Sequence, residues 1–134
     1  MRSAICFAIL LPSLLTACQS LPESPDIAAF NTTVSWEGTQ SCLDPNSPRF
    51  TVSQVPAGTD KLVFLMEDLD KLSFRHGGGE VRYNGESTIP YGAFQYKGPC
   101  PPGVTHTYRW TIKAIDSQRQ MVVGKSVVER KFPE

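Results

Sequence analysis

Along this chain the apolar residues come in short runs rich in β-branched and aromatic side chains, broken by Gly, Pro and Asn. No long stretch keeps a 3.6-residue period, and neither heptads nor internal repeats occur. The pattern predicts strands over Asn31–Trp36, Arg49–Val55, Lys61–Asp68, Glu80–Tyr83, Tyr91–Tyr96, His106–Asp116 and Lys125–Phe132. Short strands with frequent turn signals predict an all-β fold, an antiparallel β-sandwich. The run LVFLM, Leu62–Met66, is continuously apolar and is expected to be covered on both faces. The other strands alternate and should each keep one wet face.

Alternation also assigns side chains to faces. His106, Tyr108, Trp110, Ile112 and Ala114 share one face of their strand, and Thr107, Arg109, Thr111 and Lys113 share the other. The first set is the apolar one and is expected to point inward, which places His106 and Tyr108 at the end of the core face. The same parity puts Leu62, Phe64, Met66 and Asp68 together. A polar group leaning into a core needs a partner. Asp68 either has one there or caps the following turn.

The first residues change the picture of the chain's organisation. MRSAICFAILLPSLLTAC carries one positive charge, Arg2, before an apolar run from Ala4 to Leu15 that is short for a membrane span and fits a secretory signal. Leu15-Thr16-Ala17-Cys18 resembles the bacterial lipobox, which predicts cleavage after residue 17 and lipid attachment at Cys18; a plain small-residue cleavage site is the alternative. Gln19 after the cysteine resembles the sorting pattern for the outer membrane, facing the periplasm. Residues 18–29 are polar, carry two prolines and read as a lipidated tether, leaving 30–134 as one domain with one core.

Without residues 1–17 the 13 basic side chains lose only Arg2, leaving 12 against 13 acidic ones. Nucleic acid is therefore not an expected partner, because phosphate neutralisation needs a basic face. Two cysteines remain besides Cys6 and Cys18, and in an exported chain Cys42 and Cys100 are expected to pair as a disulfide rather than stay as buried thiols.

The stretches SPRFTVSQVPAGTDKLVFLMEDLD and YKGPCPPGVTHTYRWTIKAID, with a histidine between them, resemble the phosphatidylethanolamine-binding protein family in its bacterial Raf kinase inhibitor-like branch. Gly98-Pro99-Cys100-Pro101-Pro102 followed by His106-x-Tyr108 is the most specific part of the resemblance. It implies a β-sandwich with a small anion-accepting pocket at one end, lined by Asp68, Asp70, His76, Gly98, Pro99, His106 and Tyr108. The chain departs from the family where Asp68-Leu69-Asp70-Lys71-Leu72 stands for an aspartate motif with two prolines, and where His76 is followed by Gly77-Gly78-Gly79. It also ends at Glu134 without the family's C-terminal helix, which implies a shortened fold and a shallow, open pocket.

Imidazole N–H groups, a phenol O–H and loop amides can converge on a phosphate-like oxygen while Asp68 fixes a histidine tautomer. The prolines stiffen the loop that carries them. Binding of a small anion or phosphorylated headgroup is the first expectation, with no cofactor and no metal. A cell-envelope interaction or inhibitor module using the pocket rim and Tyr83, Tyr91 and Tyr96 is the alternative. Enzyme activity is not expected: HGGG at His76–Gly79 matches an oxyanion-hole loop, but no G-x-S-x-G accompanies it. The histidines and aspartates also lack the local spacing of a metal site.

Overall fold

The computed structural model describes residues 20–134. The expected signal segment 1–17 and the expected acylation residue Cys18 lie outside the described residues. Eight strands form in chain order: β1 (Glu23–Ala29), β2 (Asn31–Ser35), β3 (Arg49–Ser53), β4 (Lys61–Asp68), β5 (Arg75–Arg82), β6 (Thr88–Ile89), β7 (His106–Asp116) and β8 (Met121–Phe132). A five-stranded sheet of order β1-β8-β7-β4-β5 faces a three-stranded sheet of order β2-β3-β6, and no helix occurs among the described residues.

Inner faces of both sheets meet in an aromatic core. Phe50 of the small sheet lies 4.7 Å from Phe64 and 5.0 Å from Trp110 of the large one, measured between ring centroids. Edge-on and offset contacts of this kind suit the ring quadrupoles and add to the area that each ring removes from water. The alternation predicted on β7 holds: Tyr108, Trp110, Ile112 and Ala114 are fully buried. So does that on β4, where Leu62, Phe64, Met66 and Asp68 point inward.

Four expectations are corrected. The LVFLM strand is covered on one face only, since Leu65 remains half exposed on the outer face of the five-stranded sheet. That sheet has no second layer over it there, so the apolar run reflects β propensity more than burial. The sheet is also not purely antiparallel, because β1 runs parallel to β8.

This strand also moves the start of the folded part from Phe30 to Glu23, so the segment read as tether is in large part structure. The sequence hid β1 because it is a polar edge strand containing Pro25, and only an edge tolerates a residue without a backbone donor. Finally, Tyr91–Tyr96 is a turn with a single bridge between Asn46 and Gln95, not a strand. Its alternating Phe94 and Tyr96 fill the core while the 45–47 segment takes its backbone: Phe94 donates to Ser47 Oγ at 3.3 Å and Tyr96 to the Pro45 carbonyl at 3.0 Å.

Candidate functional site

β4 and β7 pair with Asp68 opposite Tyr108, and β8 brings Phe132 opposite His106. One end of the sandwich therefore gathers the C-terminus of β4, the N-terminus of β7 and the first residues of β5. His76 reaches this end through a β-bulge. Met66 pairs with Gly77 and Glu67 with Arg75, which leaves His76 as the extra residue and turns its ring inward.

The glycines beyond it serve packing. A Cβ at Gly78 would sit 1.8 Å from the Phe64 carbonyl oxygen, and one at Gly79 would sit 2.6 Å from the Phe94 ring. Close backbone and ring contacts account for Gly78 and Gly79, and a positive φ of 76° accounts for Gly77, whose Cβ would meet nothing, so the HGGG run needs no oxyanion role.

A chain of directed hydrogen bonds fixes the polar groups. The buried Asp68 carboxylate accepts from His106 Nδ1 at 2.7 Å through Oδ2 and from the Asp70 amide at 2.9 Å through Oδ1. His106 therefore carries its proton on Nδ1 and presents Nε2 outward. His76 Nδ1 lies 2.7 Å from the Lys97 carbonyl oxygen, and since a carbonyl only accepts, that nitrogen is the protonated one. The Lys97 amide returns a bond to the His76 carbonyl at 3.0 Å, so the ring and its backbone are both tied to the Gly98 turn.

Two polar atoms of this site have no partner. His76 Nε2 and the Tyr108 hydroxyl are both buried without a hydrogen bond, and His76 Nε2 stands 4.0 Å from Asp68 Oδ2, beyond hydrogen-bonding range. Their rings meet edge to face at 5.4 Å. Burial pushes the His76 pKa below the ordinary histidine value, against the Lys97 carbonyl and the Asp68 charge, which raise it. Burial, followed by the charges of Asp68 and Asp70 and an approach of the phenol to the Asp68 carboxylate that falls short of a hydrogen bond, pushes the Tyr108 phenol well above its usual range, so it stays an O–H donor.

The two residues line a cavity of about 350 Å³. Asp68, His76 and Tyr108 form its polar wall, Lys71 supplies a cation, and Leu43, Phe74, Cys100 and Pro102 make the rest apolar. Of the seven residues expected there, Asp68, His76 and Tyr108 line the space. The other four stand one remove away. His106 holds Asp68, and the exposed Asp70 turns its carboxylate to the Thr107 amide at 2.7 Å.

Gly98 and Pro99 are buried against the Asp44 loop, where a Cβ on Gly98 would meet the Asp44 carbonyl oxygen at 2.4 Å and Pro99 accepts from the Leu43 amide at 3.2 Å. Asp68, Asp70 and His106 place one ligand-type atom each within 4.8 Å of one another, but the hydrogen bonds just described already join them.

The Cys42–Cys100 disulfide forms as expected and joins the two loops that carry Leu43 and Pro102. Beside it, the fully buried Asp44 accepts from the Gln40 amide, the Asn46 amide and the Tyr91 hydroxyl at 2.7, 2.9 and 2.8 Å. Burial alone would raise the Asp44 pKa, but these bonds outweigh it and hold the carboxyl below its ordinary value.

Sequence reasoning missed Leu43, Lys71 and Phe74 as wall residues. The Asp44-Pro45-Asn46 turn was legible as an Asx turn, whereas nothing local marks Phe74. The aromatic surface expected from Tyr83, Tyr91 and Tyr96 is not there: Tyr96 is buried in the core, Tyr83 packs against it, and Tyr91 is tied to Asp44.

No family model matches this sequence, and no curated protein does. Solved structures do resemble it. CT736 of Chlamydia trachomatis, a proposed phosphatidylethanolamine-binding protein (PEBP) homologue, aligns with a TM-score of 0.57 at 18% identity over 79% of this chain and 98% of its own. YbcL of E. coli, described as a member of the mammalian PEBP family, aligns with a TM-score of 0.54 at 13% identity over 77% of this chain and 97% of its own. At these identities the likeness is one of fold.

Proposed function

Taking the PEBP-like fold as premise, we propose that this protein is an exported lipoprotein of the bacterial cell envelope, anchored through Cys18, whose end pocket binds a small phosphorylated ligand. One observation carries the binding: Tyr108 and His76, whose hydroxyl and Nε2 are buried without a partner, line the same cavity. An unpaired buried polar atom costs free energy in the empty protein, of order 1–3 kcal/mol, and a ligand oxygen recovers it.

Tyr108 donates directly, Lys71 brings a positive charge, and His76 donates through Nε2 once protonated. Asp68 provides the complementary acceptor, which suits a headgroup carrying both a phosphate and an ammonium. Binding rather than catalysis fits the contacts. Among the described residues neither imidazole is hydrogen-bonded to a serine, and both described cysteines are in the disulfide.

Calorimetry with phosphoethanolamine and with inorganic phosphate tests the reading. Affinity should rise as pH falls below about 6.5 and drop at least about tenfold in Tyr108→Phe. An affinity that is flat from about pH 5 to about pH 8 and indifferent to that change would sink the pocket.

A second reading, an envelope interaction or inhibitor module, is favoured by the pocket rim. Leu43 and Phe74 of the cavity wall are exposed at 51% and 41%, and Leu72, next in the chain to the wall residue Lys71, at 66%. Apolar side chains clustered at a binding mouth suit a protein contact. Pull-down of envelope proteins that survives Tyr108→Phe but fails in Leu72→Ser with Phe74→Ser would select it.

A further inference from the structure

The first described residues and the pocket lie at opposite ends of the five-stranded sheet, and the stretch from Cys18 to Pro22 is short. The Val122 amide donates to the Pro22 carbonyl at 2.9 Å, and Glu23 pairs with Val122 at the start of β8. The pocket end is marked by Phe132, which pairs with His106 at the other end of the same strand. Ten residues of β8 separate Val122 from Phe132, a span of about 30 Å at the rise of a strand.

Only four peptide links join Cys18 to Pro22, so the chain between them reaches at most about 15 Å however it is arranged. To turn the pocket onto the bilayer that holds the lipid, Pro22 would have to stand about 30 Å above it, roughly twice that reach.

We infer that the pocket faces away from the anchoring membrane and takes a water-soluble phosphorylated molecule, not a headgroup of the leaflet that carries its own lipid. The inference rests on the anchoring and binding just proposed. It explains the mixed wall: apolar Leu43 and Phe74 beside Lys71 fit the carbon portion of a soluble phosphoester.

The test uses the mature lipoprotein in vesicles, labelled with a dye at Leu72→Cys on the rim or at Gln118→Cys in the exposed turn after β7. Energy transfer to an acceptor lipid should be several-fold stronger from position 118 than from position 72; equal or reversed transfer overturns the orientation. Affinity for soluble phosphoethanolamine should be the same on phosphatidylcholine vesicles with and without phosphatidylethanolamine. A several-fold loss on the vesicles that contain phosphatidylethanolamine would mean that leaflet headgroups occupy the pocket, and overturns the ligand source.

If phosphoethanolamine and phosphate bind in neither case, the pocket reading fails and the inferred ligand goes with it, while the transfer data still decide orientation. Mass spectrometry that finds no lipid on Cys18 overturns the inference and leaves the pocket reading to calorimetry.

Discussion

His106 Nδ1 donates to Asp68 Oδ2 across 2.7 Å, although 38 positions separate the two residues in the chain. The bond exists because β4 and β7 are neighbours in register, and it holds both the tautomer of His106 and the orientation of a buried carboxylate. Asp68→Asn keeps the shape but removes the charge. The variant should weaken the hold on His106, and nitrogen NMR of that ring should show its Nδ1/Nε2 tautomer ratio moving toward the Nε2–H form favoured in free imidazole. An unchanged ratio would mean that Asp68 does not set it.

Tyr108→Phe separates stability from function. The phenol oxygen is buried and unpartnered, so its loss should leave the ligand-free protein as stable as before or more so, by up to about 1–3 kcal/mol. Ligand affinity should fall in the same variant. Denaturant unfolding and calorimetry on one preparation read both numbers, and a strong destabilisation would show that the hydroxyl serves the fold.

The His76 pKa carries a sign. Its folded value lies below the unfolded value of 6.5, chiefly because burial disfavours the imidazolium. Between those two values the unfolded chain binds more protons, so stability is full above about pH 6.5, declines as pH falls toward the folded value, and levels off below it. Melting curves across that window should show the decline. Bound phosphate should raise the His76 midpoint in proton NMR, because the anion favours the protonated ring.

Gly98→Ala should be costly although the new methyl is small. Its Cβ would lie 2.4 Å from the Asp44 carbonyl oxygen, so the backbone of one loop has to move. A loss of roughly 1–3 kcal/mol is expected in urea unfolding, together with weaker ligand binding, since the same turn fixes His76 through Lys97.

Replacing Cys42 and Cys100 together by serine removes a cross-link spanning 58 positions. In the chain-entropy model that costs about 4 kcal/mol, enough to lower the urea midpoint sharply. The double variant and the reduced wild type should unfold at similar denaturant concentrations. A midpoint unchanged in both would show that the Asp44 bonds hold the loop alone.

The sequence by itself determined the strands that alternate. Inward residues specified by chemistry at every second position made β7, its bounds and the inward direction of Tyr108 legible, whereas the continuously apolar β4 gave its bounds but left its wet face and the role of Asp68 open. It also supplied the Cys42–Cys100 pairing, because the two cysteines beyond the first eighteen residues have one way to pair. Tertiary structure alone decided the rest. β1 is polar and contains Pro25, so only the exposed edge of β8 makes it a strand. His76 turns inward because one residue is bulged out of the β4–β5 register, a feature without a local signature. Lys71 and Phe74 became wall residues because the turn after β4 folds over the cavity. Local pattern records which face a side chain prefers, whereas which faces meet is set by pairing between strands far apart in the chain, and the pocket exists only at those meetings.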